Sequence, residues 1–228
     1  MYLFFDTETT GLPKSWKAPV SDLGNWPHIV QIAWALFDED GTQLELHDHM
    51  IQPEGFVIPE SATAIHGIST ERALKEGRPA AEVLREFSGA IPGVACLVAH
   101  NLDFDEKMVR VELLRRGMPD GLRTIKKICT MKSSTKFCKI PRSYGPNTNQ
   151  SKQSGDWGRP NYHPGKEMKS LGGNKWPKLS ELHVKLFDVD FEDQHNAASD
   201  VLCCVKCFFE LRRRAIICDG AGIGNPRN

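Results

Sequence analysis

The sequence predicts an α/β protein built on one sheet of mixed strand direction. Three observations carry that prediction. An apolar run, YLFFD, opens the chain; a second, VACLVAH, does not alternate and so reads as buried on both faces; between and after them lie segments with apolar residues at helical spacing. The first strand leads to HIVQIAWALFDED and TQLELHDHMIQP, joined at Glu39-Asp40-Gly41, an acidic glycine-containing turn that predicts an antiparallel hairpin. Ser69 or Thr70 can cap a short helix through ERALKEG, and Pro79 starts a helix over AAEVLREFSGAI with Val83, Leu84 and Phe87 on one face. VACLVAH then passes through Asn101 into a helix over FDEKMVRVELLRRG that stops at Gly117. RTIKKICTM holds a last short strand, and AASDVLCCVKCFFELRRRA is a terminal helix.

At 228 residues the chain suits a single domain, 1–228, with a sizeable core. The formal net charge is +0, so global attraction to nucleic acid or membrane is not indicated and only a locally basic surface would serve. The Met1 start lacks a cationic leader and no apolar run reaches membrane-spanning length, so the expected location is cytoplasmic with no membrane partner. Seven cysteines, an odd number, suit reduced thiols better than a disulfide framework. Cys204 and Cys207 form a CxxC, but Val201, Cys204, Cys207 or Phe208, and Leu211 follow helical spacing, which favours core packing over zinc.

Three short stretches place acids where a buried scaffold ends. In DTETTG, alternation along a strand puts Asp6 and Glu8 on one side and Thr7 on the other. Two converging carboxylates there either coordinate a hard cation, Mg²⁺ or Mn²⁺, or form a solvated strand end. In HNLDFDE, Asp103 and Asp105 lie about 200° apart on a helix, so only one faces the site. Asp105 lies beside the buried stripe of Phe104, Met108 and Val111, and Asp103 reads as a helix cap. In DQHNAASD, Asp200 lies on the buried face of the terminal helix with Cys203, Cys204, Cys207 and Leu211. His195, just before it, is either a proton-transfer group or a surface histidine.

Together, D-T-E-T-T-G, H-N-x-x-F-D and H-x-A-x-x-D, in that order, resemble the DEDDh family of 3′–5′ exonucleases, which includes the ε subunit of bacterial DNA polymerase III, ribonuclease T and the TREX enzymes. The resemblance implies a ribonuclease-H-like fold, a mixed five-stranded sheet flanked by helices. It implies two metal ions, Mg²⁺ or Mn²⁺, held by Asp6, Glu8, Asp105 and Asp200, with His195 as general base. The ions hold the scissile phosphate and activate the attacking water. It also implies that Thr9, Gly11 and Leu12, together with Ala64, Ile65 and His66, lie at the terminal nucleotide, with Asn101 a further substrate contact; for His66 a structural role is an equal reading. The partner implied is a nucleic acid, single-stranded, with a free 3′ end. A polymerase or a second copy of the chain are further expected partners. Nearby acids are expected to raise the pKa of His195 and bound metals to lower it.

From Lys132 to Lys178 the sequence is rich in Gly, Pro, Ser and Asn and reads as an insertion. Its basic residues interleave with Phe137, Tyr144, Trp157, Tyr162 and Trp176, the composition either of a single-strand-binding surface or of a solvated loop. Cys129, Cys138 and His163 match no standard zinc spacing, and the tail GAGIGNPRN is misplaced for a phosphate loop. A free-standing exonuclease, acting on DNA or RNA, is the leading functional expectation. A proofreading or repair subunit, an RNA-processing exoribonuclease and a binding module without catalysis are the alternatives.

Overall fold

The computed structural model describes residues 1–144, 169–191 and 195–217. A five-stranded sheet forms its centre: β1 (Tyr2–Thr9), β2 (Ile29–Phe37), β3 (Gln43–Met50), β4 (Cys96–Ala99) and β5 (Lys126–Cys129), in the order β3-β2-β1-β4-β5. β1 pairs antiparallel with β2, and β2 with β3, whereas β1–β4 and β4–β5 are parallel. The predicted hairpin is present, its turn held by Asp38 Oδ1, which accepts from the N–H groups of Asp40 and Thr42.

Helices α1 (Glu60–His66), α2 (Thr70–Glu76), α3 (Ala80–Gly89) and α4 (Leu102–Arg115) come from the first half of the chain. Ser69 caps α2 as expected, its Oγ accepting from Arg72 N–H. Later come α5 (Thr130–Cys138), α6 (Leu179–Phe187) and α7 (Ala197–Arg213). Strand alternation sorts the core into two layers. Tyr2, Phe4, Ala33, Ala35, Cys96 and Val98 pack under α7 residues Val201, Cys204 and Phe208, while Leu3, Phe5, Ile32, Trp34 and Leu97 pack under α3 and α4 residues Val83, Phe87, Met108 and Val111. Cys204 and Cys207 are buried in the first layer, as core packing requires.

The insertion expected from Lys132 has a different boundary. The stretch TMKSSTKFC is helix α5, with Met131, Ser134 and Cys138 buried at helical spacing, and α6 and α7 pack against it. Its Ser and Thr residues have modest helix propensity, so burial of that stripe, more than local preference, decides its conformation. After it, β6 (Pro141–Tyr144) and β7 (Lys169–Asn174) form a separate antiparallel ribbon. His163 of the considered zinc set, Trp157, Tyr162 and the glycine-rich tail lie outside the described residues.

Candidate active site

The last paired residues of β1 and β4 are Phe4 and Val98, so β1 runs on from Asp6 to Thr9 with a ladder partner only in β2. These carboxyl ends of the strands are where open α/β sheets bind ligands. Asp6 and Glu8 face the α7 layer, and α7 brings Asp200 to them. Carboxylate oxygens of Asp6, Glu8 and Asp200 lie within 4.8 Å of one another.

Asp105 arrives from the opposite layer. It is 2% exposed on the first turn of α4, and its Oδ1 accepts from Thr7 N–H (3.1 Å) and Thr7 Oγ1 (2.8 Å). Thr7, between the two acids and pointing the other way, is thus a residue that sequence reasoning missed. Its signal was a small hydroxyl side chain on the buried side of β1. Asp103 is not the helix cap: Asn101 holds that position, with φ 72° and no side-chain cap bond, and exposed Asp103 instead pairs with Lys132 at 2.5 Å. The left-handed backbone at Asn101 suits an Asn, and it turns β4 into α4 so that Asp105 meets Thr7.

All four acids have raised pKa values, first through burial and, for Asp6, Glu8 and Asp105, also through neighbouring carboxylates. Burial, then Asp105, Asp200 and Glu8, push Asp6 well above the carboxylate range. Burial, Asp200 and Asp105 push Glu8 to about 8. Burial takes Asp105 to about 7 against the opposing Thr7 bonds, and Asp200 to about 6 against the bond from His195 N–H. No lysine or arginine is among the causes of these shifts. A cluster of hard oxygen donors, raised in pKa where no cation neutralises them, fits divalent metal ions.

His195 precedes α7 with φ 68°, and its N–H bonds Asp200 Oδ2 at 3.1 Å. A non-glycine residue in the left-handed region at such a place stores backbone strain. The expected upward push from nearby acids is not found. Burial and the Lys178 cation lower its pKa instead, because the side chain stands towards the N-terminus of α6. Thr9 Oγ1 donates to Gly11 O (2.7 Å), and Gly11 has φ 143°, a value that requires glycine. That turn leaves Leu12 52% exposed, and on α1 Ile65 is 59% exposed and Ala64 is exposed. His66 has its pKa lowered by burial and by His195, with the Thr9 backbone opposing, so α1 lies against the Thr9 turn and His195. His66 Nδ1 also accepts from Ile68 N–H, so the structural reading of this histidine is present too.

A family model described as RNase_T, Exonuclease, matches residues 3–151, about two thirds of the chain. The chain belongs to this exonuclease family. The exonuclease is 36% identical over 118 residues to the DNA polymerase III PolC-type of Lactococcus lactis, a stretch that covers 52% of this chain and 6% of that one. Against the PolC-type enzyme of Streptococcus sanguinis the figures are 32% over 124 residues, 54% and 8%. It therefore spans less than a tenth of these relatives. Among solved structures, E. coli exonuclease I in complex with a dT13 oligonucleotide superposes with TM-score 0.66 at 16% identity, covering 93% of this chain and 41% of that one. Exonuclease I from Methylocaldum szegediense gives 0.64 at 16%, covering 93% and 40%. The exonuclease thus has the ribonuclease-H-like fold: a mixed five-stranded sheet flanked by helices. Its family membership makes it a nuclease, a hydrolase of phosphodiester bonds.

Proposed function

We propose that the exonuclease is a metal-dependent 3′–5′ enzyme that releases nucleotides from single-stranded ends. The observation that carries this reading is the convergence of Asp6, Glu8 and Asp200 within 4.8 Å, with Asp105 tied to the neighbouring Thr7 from the other layer. These four carboxylates are the groups that would hold two divalent cations. When bound, such cations polarise the scissile phosphate, lower the pKa of water and neutralise the leaving oxygen. Asp6, shared by both sides of the cluster, orients the site, and Thr7 fixes the rotamer of Asp105 by occupying one of its two oxygens. His195 takes the proton from the attacking water at a ring nitrogen. Its lowered pKa keeps the imidazole neutral, hence able to accept, at neutral pH. Thr9, Gly11 and Leu12, with Ala64, Ile65 and His66 opposite, form the cradle for the terminal nucleotide, and Asn101 shapes its floor through its left-handed backbone.

A second reading, in which the domain edits for a polymerase, rests on the likeness to PolC-type polymerases. The deciding experiment digests single-stranded DNA and RNA, each labelled at one end, side by side. The expected result is immediate release of a labelled mononucleotide from the 3′ end, lost with EDTA and restored by Mg²⁺ or Mn²⁺. Hydrolysis that survives thorough chelation, or release that starts at the 5′ label, would overturn the proposal. For the second reading, a polymerase that raises turnover at a mismatched primer end supports it and one without effect refutes it.

A further inference from the structure

Between β1 and β2 the chain makes a long loop that carries Trp16 at 44% exposure. A large aromatic left open to water on a mobile loop would have little meaning, but this loop is held tightly. Asn25, buried, accepts from Ser15 N–H (2.7 Å) and donates to Ser15 O (3.0 Å), and Lys14 N–H bonds Asn25 O (3.0 Å). Trp26 Nε1 donates to Pro19 O at 3.0 Å. Arg115, ion-paired with buried Glu112, reaches out of α4 to the carbonyls of Leu23, Trp26 and Pro27. The Trp16 ring rests on Phe104 with centroids 5.7 Å apart, and Lys107 donates to Trp16 O at 3.2 Å. An indole plane is therefore fixed against α4 at the residue next to Asp105, with its other surface open.

Three cations belong to its immediate neighbourhood. Lys14 and Lys17 flank the indole in sequence, both are exposed, and no described carboxylate pairs with either; Lys107 is beneath. A rigid aromatic plane with surrounding cations is the chemistry that binds a nucleobase by its π-face and the adjoining phosphates by charge, without regard to sequence. Trp16 stands past Leu12 and outside the carboxylate cluster, so the base it can accept is not the one being released.

We infer that Trp16 is a stacking platform for an upstream base of the single strand whose 3′ end enters the carboxylate cluster, with Lys14 and Lys17 as its phosphate contacts. This inference rests on the single-strand reading given under Proposed function, and it adds a strand-holding site outside the catalytic centre. Truncating an aromatic side chain that stacks on one base should cost about tenfold in affinity or more.

The experiment measures binding of an oligothymidylate and of a thymidine dinucleotide in EDTA, by tryptophan emission and by anisotropy, for the full chain and for Trp16→Ala, Trp16→Phe and Trp16→Leu. The long strand should quench the wild-type emission. Trp16→Ala and Trp16→Leu should lose about tenfold in affinity for it, Trp16→Phe should lose less, and dinucleotide affinity should change little. Thermal unfolding of each variant checks that the loop still folds, and Trp16→Leu keeps an apolar contact with Phe104. Equal affinity of wild type and Trp16→Ala for the long strand, or an equal loss for both ligands, overturns the inference while leaving the cleavage assay intact. Conversely, a wild type that loses strand affinity on Trp16→Ala but cleaves nothing keeps the platform and overturns the proposed reaction.

Discussion

Asp6 shows what the site demands of single residues. Its carboxylate is pushed up by burial and by three acidic neighbours, so in metal-free protein its ionised form opposes folding. The direction in pH follows. Glu8 near 8, Asp105 near 7 and Asp200 near 6 all lie above their unfolded values, so the folded state binds more protons across that range. The stability they contribute is full below about pH 4 and is lost as pH rises towards 8. Asp6→Asn should therefore abolish hydrolysis yet raise the melting temperature measured in EDTA at pH 8, by about 1–2 kcal/mol or roughly 2–8 °C. Calorimetry of both forms with and without Mg²⁺ is the check, since the cation should stabilise wild type more than the variant. Asp105 and Asp103 give the contrasting pair. Asp105→Ala removes a buried acid and leaves Thr7 N–H and Oγ1 unpartnered, so turnover should vanish and stability fall by about 1–3 kcal/mol. Asp103→Ala loses only an exposed pair with Lys132, about 0–1 kcal/mol, and should turn over normally. Urea unfolding and initial rates on the two variants separate these outcomes.

Among the elements, the end of β4 is tied to distant parts of the chain by His100. Its Nε2 donates to Pro177 O and its Nδ1 accepts from Thr130 Oγ1, both at 3.0 Å, so the neutral ring links β4 to the starts of α5 and α6. Burial drives its pKa down to about 4, below the unfolded value. Here the unfolded state binds more protons, so the contribution is full above about pH 6.5 and disappears as pH falls towards 4, the reverse of the carboxylates. That lowering corresponds to up to about 3 kcal/mol. His100→Asn should flatten the acid side of the stability profile between pH 6.5 and 4, measured by denaturant midpoints; an unchanged profile would refute the assignment. Glu112 on α4 is the other anchor. Although burial pushes its pKa up, the His28 bond and the Arg115 and Arg116 cations hold it below the usual range. Removing that acid should free the arginines and loosen the β1–β2 loop that carries Trp16.

At the scale of the whole molecule, the distribution of charge matters more than the total of +0. The stretch from Lys132 to Lys178 has the composition either of a single-strand-binding surface or of a solvated loop. Most of its cations, from Lys132 through Arg142 and from Lys169 to Lys178, belong to α5, the β6–β7 ribbon and the approach to α6. Between residues 145 and 168 there are Lys152, Arg159 and Lys166 against Asp156 and Glu167. Excising all of 132–178 would strip buried Ser134 and Cys138 and most of the helix that covers the α7 layer, and the protein should not fold. A short linker in place of 145–168 is the better test. It should leave the core intact and alter the slope of log affinity against log salt by less than one phosphate contact, roughly 0.7 for single strands. A larger change would show that this near-neutral stretch grips the strand.

The residue types and their order were legible without the fold. Alternation along DTE put Asp6 and Glu8 on one side, helical period put Asp105 and Asp200 on inward faces, and a run of unalternating apolar residues marked β4. Each of these is local, a period of 2 or 3.6 acting over a few neighbouring residues. What the tertiary structure decided is where segments far apart in the chain meet. The Thr7–Asp105 bonds span 98 residues, His100 meets Pro177 across 77, and α5 exists as a helix because a core already made by α6 and α7 accepts its stripe. Asp103 was mistaken for a cap because the backbone twist at Asn101, which moves the helix start two residues earlier, is set by the join between β4 and α4 rather than by side-chain preference. The direction of the His195 shift follows first from burial and then from Lys178 at the N-cap of α6, neither of which a sequence period could supply. Side-chain pattern follows from covalent neighbours, whereas burial and charge follow from the packing of layers, and the site is made where the two layers meet at the end of β1.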